Sequence, residues 1–178
     1  MTDHKFESVR LLVPDVSRET FQRLIQFENM FRSWNAAINL AAPSTLPELW
    51  SRHILDSVQL AALRPLTGNW LDLGSGGGLP GAILAILAGQ KREAMVQLVE
   101  SRGKKAAFLQ NIIGQTQVPG KVHVMRIEDA HALIKGIDVV TARALAPLSE
   151  LIGLAQPWLT DGAVGLFHKG RDFRQEIE

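Results

Sequence analysis

Trp70-Leu71-Asp72-Leu73-Gly74-Ser75-Gly76-Gly77-Gly78-Leu79-Pro80-Gly81 reads as a buried strand that runs into a glycine-rich turn and then into a helix. Five glycines fall within the eight residues from Gly74 to Gly81. A tight strand-to-helix turn needs one or two; the surplus points to backbone that a ligand approaches closely. Such a turn lies at the carboxyl end of a strand, where open α/β sheets bind their ligands.

Outward from this turn, short apolar runs alternate with helical stretches. Strands are predicted over 69–73, 95–100, 121–126, 137–141 and 163–168, and helices over 80–88, 104–116, 130–134 and 148–159. The alternation predicts an α/β protein, with a mostly parallel central sheet, helices on both faces and right-handed crossovers. The preceding residues read as helical. Residues 17–34 carry Phe21, Leu24, Ile25, Phe27, Phe31 and Trp34 at helical spacing behind a capping Ser17, and a second helix starts near Pro47 and ends at Arg64-Pro65. The expected division is an N-terminal helical cap over residues 1–66, packed on an α/β core over 67–178.

Composition narrows the chemistry. A chain of 178 residues supports one sizeable core. No apolar run reaches membrane-spanning length, and Met1-Thr2-Asp3-His4-Lys5 lacks the layout of a signal peptide, so a cytoplasmic location is expected. The absence of cysteine excludes disulfides, thiolate metal sites and a cysteine nucleophile. Carbon-5 methylation of pyrimidines, which proceeds through such a nucleophile, is excluded with it. Lys and Arg number 19 against 18 Asp and Glu, so any nucleic-acid face must be local.

The nature of the ligand turns on acidic residues. Gly76, Gly78 and Gly81 also fit the dinucleotide pattern G-x-G-x-x-G. Asp72, however, places a carboxylate where a pyrophosphate is repelled but an α-amino group or a sulfonium is welcome, and Pro80 removes an N–H donor near the helix start. These features favour S-adenosylmethionine over a nicotinamide cofactor. Glu100, ending the second strand, is placed either to accept ribose hydroxyls or as an exposed strand-end charge. Ile127 and Glu128 follow the third strand, where an adenine ring would lie; Glu128 and Asp129 equally suit the start of a short helix. Arg143 follows the fourth strand at the expected switch point, and Lys169 follows the fifth. His53 and Asp56, one helical turn apart, are expected to pair and bond the Asn39-Leu40 loop, with an RNA contact as the second reading for His53. Two such residues make no metal site, and none is expected. Arg52, Arg102, Lys104, Lys105, Arg126, Arg143, Lys169 and Arg171 are candidates for an RNA-facing surface.

The ordered segments Trp34-Asn35-Ala36-Ala37-Ile38-Asn39-Leu40, Arg52-His53-Ile54-Leu55-Asp56-Ser57, the glycine turn through Leu79-Pro80-Gly81, Glu100-Ser101-Arg102-Gly103-Lys104-Lys105, Arg126-Ile127-Glu128, Ala142-Arg143-Ala144 and His168-Lys169-Gly170 resemble the bacterial RsmG (GidB) methyltransferases, which methylate guanine N7 in 16S ribosomal RNA. The resemblance implies a Rossmann-like class I methyltransferase fold with S-adenosylmethionine as methyl donor. Gly74, Leu79, Ile127, Glu128 and Arg143 would surround the donor, and Glu100 would take its ribose. Asp72 and Gly76 join this set from the glycine turn itself. His53 and Lys169 are assigned to the substrate, with 16S RNA or the 30S subunit as partner and a monomer as the working form. Family members continue for roughly one more strand pair, so that pair is expected to be missing here. Guanine N7 carries a lone pair and no proton, so positioning and electrostatics, with Arg143 foremost, replace a general base. The alternatives are a methyltransferase of small molecules, a nicotinamide-dependent oxidoreductase and a non-catalytic binding module.

Overall fold

The computed structural model describes residues 2–90, 93–170 and 174; Arg171 of the expected basic face lies outside the described residues. Five parallel strands, β1 (Gly68–Leu73), β2 (Ala94–Val99), β3 (Gly120–His123), β4 (Val139–Arg143) and β5 (Val164–His168), form one sheet in the order β3-β2-β1-β4-β5. The order reverses between β1 and β4, so the glycine turn leaves the sheet at the topological switch point. Among the described residues β5 forms one edge.

Alternation along β1 distributes the core. Leu71 and Leu73 pack with Val140, Ala142, Leu151 and Trp158 under the helices α6 (Ile127–Ala130) and α7 (Leu148–Thr160). Trp70, Val96, Leu98 and Val139 face the other way, beneath α4 (Gly81–Ala88) and α5 (Gly103–Thr116). The N-terminal helices share that second cluster. In α2 (Arg18–Ile38), the Ser17 hydroxyl accepts the Thr20 N–H at 3.0 Å, and Phe21, Leu24, Phe27 and Phe31 form one fully buried stripe.

Several boundaries differ from the sequence reading. Helix α1 (Thr2–Arg10) was not expected, because Phe6 and Val9 alone make no visible stripe; Phe6 earns its place edge-to-face on Phe21, with ring centroids 5.0 Å apart. The helix expected near Pro47 is instead a 3₁₀ turn (Pro43–Glu48), a π turn (Trp50–Ile54) and α3 (Leu55–Leu63). The helix expected over 130–134 is the single turn α6, shifted back to Ile127, since β3 ends at His123 rather than at residue 126.

The glycine turn is fixed from both sides. Asp72, 1% exposed, accepts the Gly81 N–H at 3.2 Å and the Thr141 hydroxyl at 2.9 Å, tying β1 to the start of α4 and to β4. Burial pushes its carboxyl up from 3.8 to about 6, only partly opposed by the bonds from Ser75, Thr141 and Gly81. The Leu79–Pro80 peptide is cis. Gly77 is glycine for packing rather than for its torsion: a Cβ there would stand 2.7 Å from the Phe31 ring.

Two outcomes follow. Gly77→Ala should lower unfolding stability by about 1–3 kcal/mol in urea titrations, because Phe31 is fully buried and has nowhere to move. For Asp72 the folded value lies above the unfolded one, so the folded state holds the extra proton between them. Stability should therefore fall as pH rises from about 4 to about 6 and level off above, by about 3 kcal/mol from this group. Asp72→Asn should gain stability relative to the native chain across that window; a pH-independent difference would contradict the assignment.

Candidate active site

Three adjoining cavities run along the carboxyl edges of the strands. The first, of about 410 Å³, lies between the ends of β1 and β2 and the start of α6. Gly74, Gly76, Glu100, Ile127 and Glu128, five of the eight residues that the sequence reading groups around the donor, line it together, and Asp72, Leu79 and Arg143 do not. It is large enough for a small-molecule cofactor. Gly76 has φ +53°, and a Cβ there would meet only the Gly74 carbonyl, at 3.6 Å. It is therefore a glycine that neighbouring side chains do not demand, and it opens on the cavity. Residues Met125, Leu145, Glu150 and Leu154 also line the cavity; no local motif flags them, because the folding of the α6 and α7 approaches brings them in.

Glu100 is 6% exposed and does more than project from a strand end. One carboxylate oxygen accepts the Gly76 N–H at 2.8 Å, and the other accepts the Arg102 N–H at 2.7 Å. Glutamate's length lets it join the glycine turn to the start of α5, while each oxygen keeps a second lone pair. Glu128 is exposed and pairs with Arg126 at 2.9 Å, whose guanidinium holds the Glu128 carboxyl below its ordinary value. Asp72, expected beside the ligand, does not line the cavity; its oxygens are spent inside the fold, on the start of α4 and on β4.

The second cavity, of about 370 Å³, lies between the glycine turn and the loop after α2. It shares Gly74, Gly76, Lys105 and Ala144 with the first, so the two connect. Leu79 opens here and not on the first cavity. The third, of about 550 Å³, is lined by Arg52, His53, Asp56, Arg143, His168 and Lys169, among others.

Arg143 stands between the second and third cavities and lines both, but not the first. Its guanidinium is held by the cap. It donates to the Arg52 carbonyl at 3.1 Å, to the His53 carbonyl at 3.4 Å and to His53 Nδ1, and it faces the Asp56 carboxylate at 3.3 Å. These are three hydrogen-bond acceptors and one ion-pair partner around the two terminal nitrogens. The expected His53–Asp56 pair is thus replaced: the guanidinium fork takes His53 Nδ1 and faces the Asp56 carboxylate, and His53 Nε2 is buried without a hydrogen-bond partner among the described residues. Nor does His53 bond the Asn39-Leu40 loop. That role belongs to Asn35, 4% exposed, whose Oδ1 accepts the Ala41 N–H at 2.7 Å.

A guanidinium only donates, so His53 Nδ1 carries the lone pair and its proton sits on Nε2. Burial, then the Arg143 charge, lowers the His53 pKa and keeps the ring neutral. His168, not singled out by sequence, donates from Nε2 to the Asp56 carbonyl at 2.9 Å. Lys169 donates to the Ala146 carbonyl at 3.1 Å on the cavity wall. Among the described residues no three His, Asp or Glu side chains gather as metal ligands would, and no helix is long and apolar enough to cross a membrane.

With this geometry in hand, the chain can be set beside known proteins. The family model for rRNA small subunit methyltransferase G (GidB) matches residues 20–178. The protein named ribosomal RNA small subunit methyltransferase G from Chelativorans sp. is 54% identical over 178 residues, covering 100% of this chain and 85% of its relative. The protein of that name from Brucella ovis is 54% identical over 176 residues, covering 99% and 83%. Among solved structures, a variant of MtNAS in complex with S-adenosylmethionine superposes with a TM-score of 0.52 at 16% identity, covering 97% of this chain and 71% of that one, a likeness of fold. Identity of this extent over the whole chain leaves no room for the nicotinamide alternative: the chain belongs to the rRNA small subunit methyltransferase G (GidB) family of S-adenosylmethionine-dependent methyltransferases.

Proposed function

We propose that the protein transfers a methyl group to N7 of a guanine in small-subunit (16S) ribosomal RNA, with the first cavity for the donor and the second and third for the RNA. The observation that carries this is where the carboxylates stand. Glu100, Glu128 and Glu150 open on the first cavity, beside Arg102, Lys105 and Arg126, whereas no carboxylate lines the second, whose charged groups are Arg143 and Lys105. Carboxylates can meet the ribose hydroxyls and the cationic groups of the donor, and a wall without them suits an electron-rich base on a polyanion.

When bound, S-adenosylmethionine supplies an electrophilic methyl on a sulfonium. The residues present fit it: Gly76 leaves room for close approach, Glu100 has lone pairs for the ribose hydroxyls, and Ile127 offers an apolar surface to adenine. Gly74 and Glu128 complete that cavity, and Leu79 meets it from the second. Guanine N7 has no proton to lose, which accords with a transfer chamber lacking a carboxylate; the neutral His53 and the charged Arg143 orient rather than deprotonate. Lys169 and Arg52 line the third cavity, which supports a role for them in meeting RNA phosphates.

Tritium transfer from labelled donor to 30S subunits and to extracted 16S RNA, with mapping of the modified base, tests the reading directly; label on a small molecule or on another ring position would refute it. Glu100→Ala should weaken both S-adenosylmethionine and its demethylated product about 10- to 100-fold in calorimetry, the value of a charged hydrogen bond. Unchanged affinity in a folded variant would remove Glu100 from the site. Arg143→Lys keeps the charge but cannot span the three acceptors and the Asp56 carboxylate together, so single-turnover transfer should fall at least about 10-fold with donor affinity retained, and Arg143→Ala should fall further. Native rates in both variants would place Arg143 outside the reaction.

A further inference from the structure

A side chain that orients a reacting base must itself be held still, and the ends of two strands share that task for Arg143. Arg143 is the last residue of β4, and its register partner is His168, the last residue of β5. Parallel strands stand roughly 4.8 Å apart, so the two side chains leave the sheet edge side by side. Both meet Asp56, in the first turn of α3. The Asp56 carboxylate lies 3.3 Å from Arg143 Nη1, and the Asp56 backbone carbonyl accepts a hydrogen bond from His168 Nε2 at 2.9 Å. The same His168 nitrogen stands 3.8 Å from that carboxylate. One residue of the cap is thus held by β5 while it faces the guanidinium from β4.

The His168 ring has no other polar partner among the described residues. Its side chain is 15% exposed, and Nδ1 is buried without a hydrogen bond. An unmet buried nitrogen costs free energy that an apolar side chain in the same space would not. Packing alone gives no reason for histidine at this position; the bond to Asp56 does. The other partners of Arg143 are Arg52 and His53 of the π turn, so Asp56 is the contact that ties its angle to a second strand.

We infer that Asp56 and His168 are positioning residues for methyl transfer: His168 fixes the first turn of α3 on the end of β5, and the Asp56 carboxylate so placed sets the angle of the Arg143 guanidinium. Both act through Arg143 rather than on donor or RNA. This deepens the role proposed for Arg143 and rests on it.

His168→Phe keeps a ring and removes the donor; Asp56→Asn keeps the shape and removes the charge. Each should slow single-turnover transfer to small-subunit RNA about 10-fold, with donor affinity by calorimetry within about 2-fold of native. His168→Gln, whose Nε2 can replace the lost donor, should recover most of the rate. In an Arg143→Lys background, His168→Phe should cost no more than about 2-fold further, because the guanidinium it serves is gone, whereas independent effects would multiply. Nuclear magnetic resonance of the free protein reads the same coupling without RNA: the Arg143 guanidinium signal, identified by its loss in Arg143→Lys, should shift or broaden in His168→Phe. Should that variant fail to fold in urea titrations, Asp56→Asn, at a side chain 36% exposed, carries the same rate and resonance tests. Native rates in both variants, a multiplicative loss in the double variant or an unchanged Arg143 signal would overturn the inference. If Arg143→Lys and Arg143→Ala themselves transfer at the native rate, the role proposed for Arg143 fails first and the inference falls with it. Slow Arg143 variants beside a native-rate His168→Phe would sink the inference alone.

Discussion

Among the described residues the Asp72 carboxylate has no ion-pair partner. It lies under the first turn of α4 with its oxygens turned to a backbone N–H and a hydroxyl, and the interior keeps its proton affinity high. A buried acid held this way is costly, and what it secures is the direction in which the chain leaves β1. The turn must pass beneath α2, where Phe31 leaves space for no side chain at Gly77, and must still leave Gly76 open to the cleft. Carboxylate on one side and aromatic ring on the other define that path. Glu100 then takes the Gly76 N–H and extends the same restraint to the start of α5.

A second joint couples the cap to the sheet. Arg143 leaves the end of β4 and spends its terminal N–H groups on the π turn and α3 of the cap. The cap therefore cannot drift without uncovering a partly buried guanidinium, and the loop after α2 keeps its distance from the glycine turn. What is nominally an N-terminal accessory becomes the far wall of the second cavity. The shared hydrophobic cluster of α1, α2, α3, α4 and α5 makes the same point in apolar terms.

Charge is sorted locally. The first cavity carries both signs, Glu100, Glu128 and Glu150 beside Arg102, Lys105 and Arg126, whereas the charged groups of the second are Lys105 and Arg143, and the two share Gly74, Gly76, Lys105 and Ala144. With overall charge near zero, such sorting can only be local.

By itself the sequence determined the sheet, the switch point, the glycine turn and its grouping with Glu100, Ile127 and Glu128. These depend on local periodicity and on strand ends, which a linear pattern records. It did not determine helix α1, whose nine residues show too few apolar positions, nor the π turn before α3. It paired His53 with Asp56 because helical spacing permits it; the tertiary structure placed between them an arginine about 90 residues away, and a planar fork with several donors wins over a single imidazole contact. It counted glycines as ligand space, whereas packing against Phe31 accounts for Gly77. Only the tertiary structure decided that Asn35 holds Ala41, that the cap walls the second cavity and that Asp72 acts from inside the core. Each of these joins residues distant in the chain, through contacts whose energy exists only once the helices have packed on the sheet.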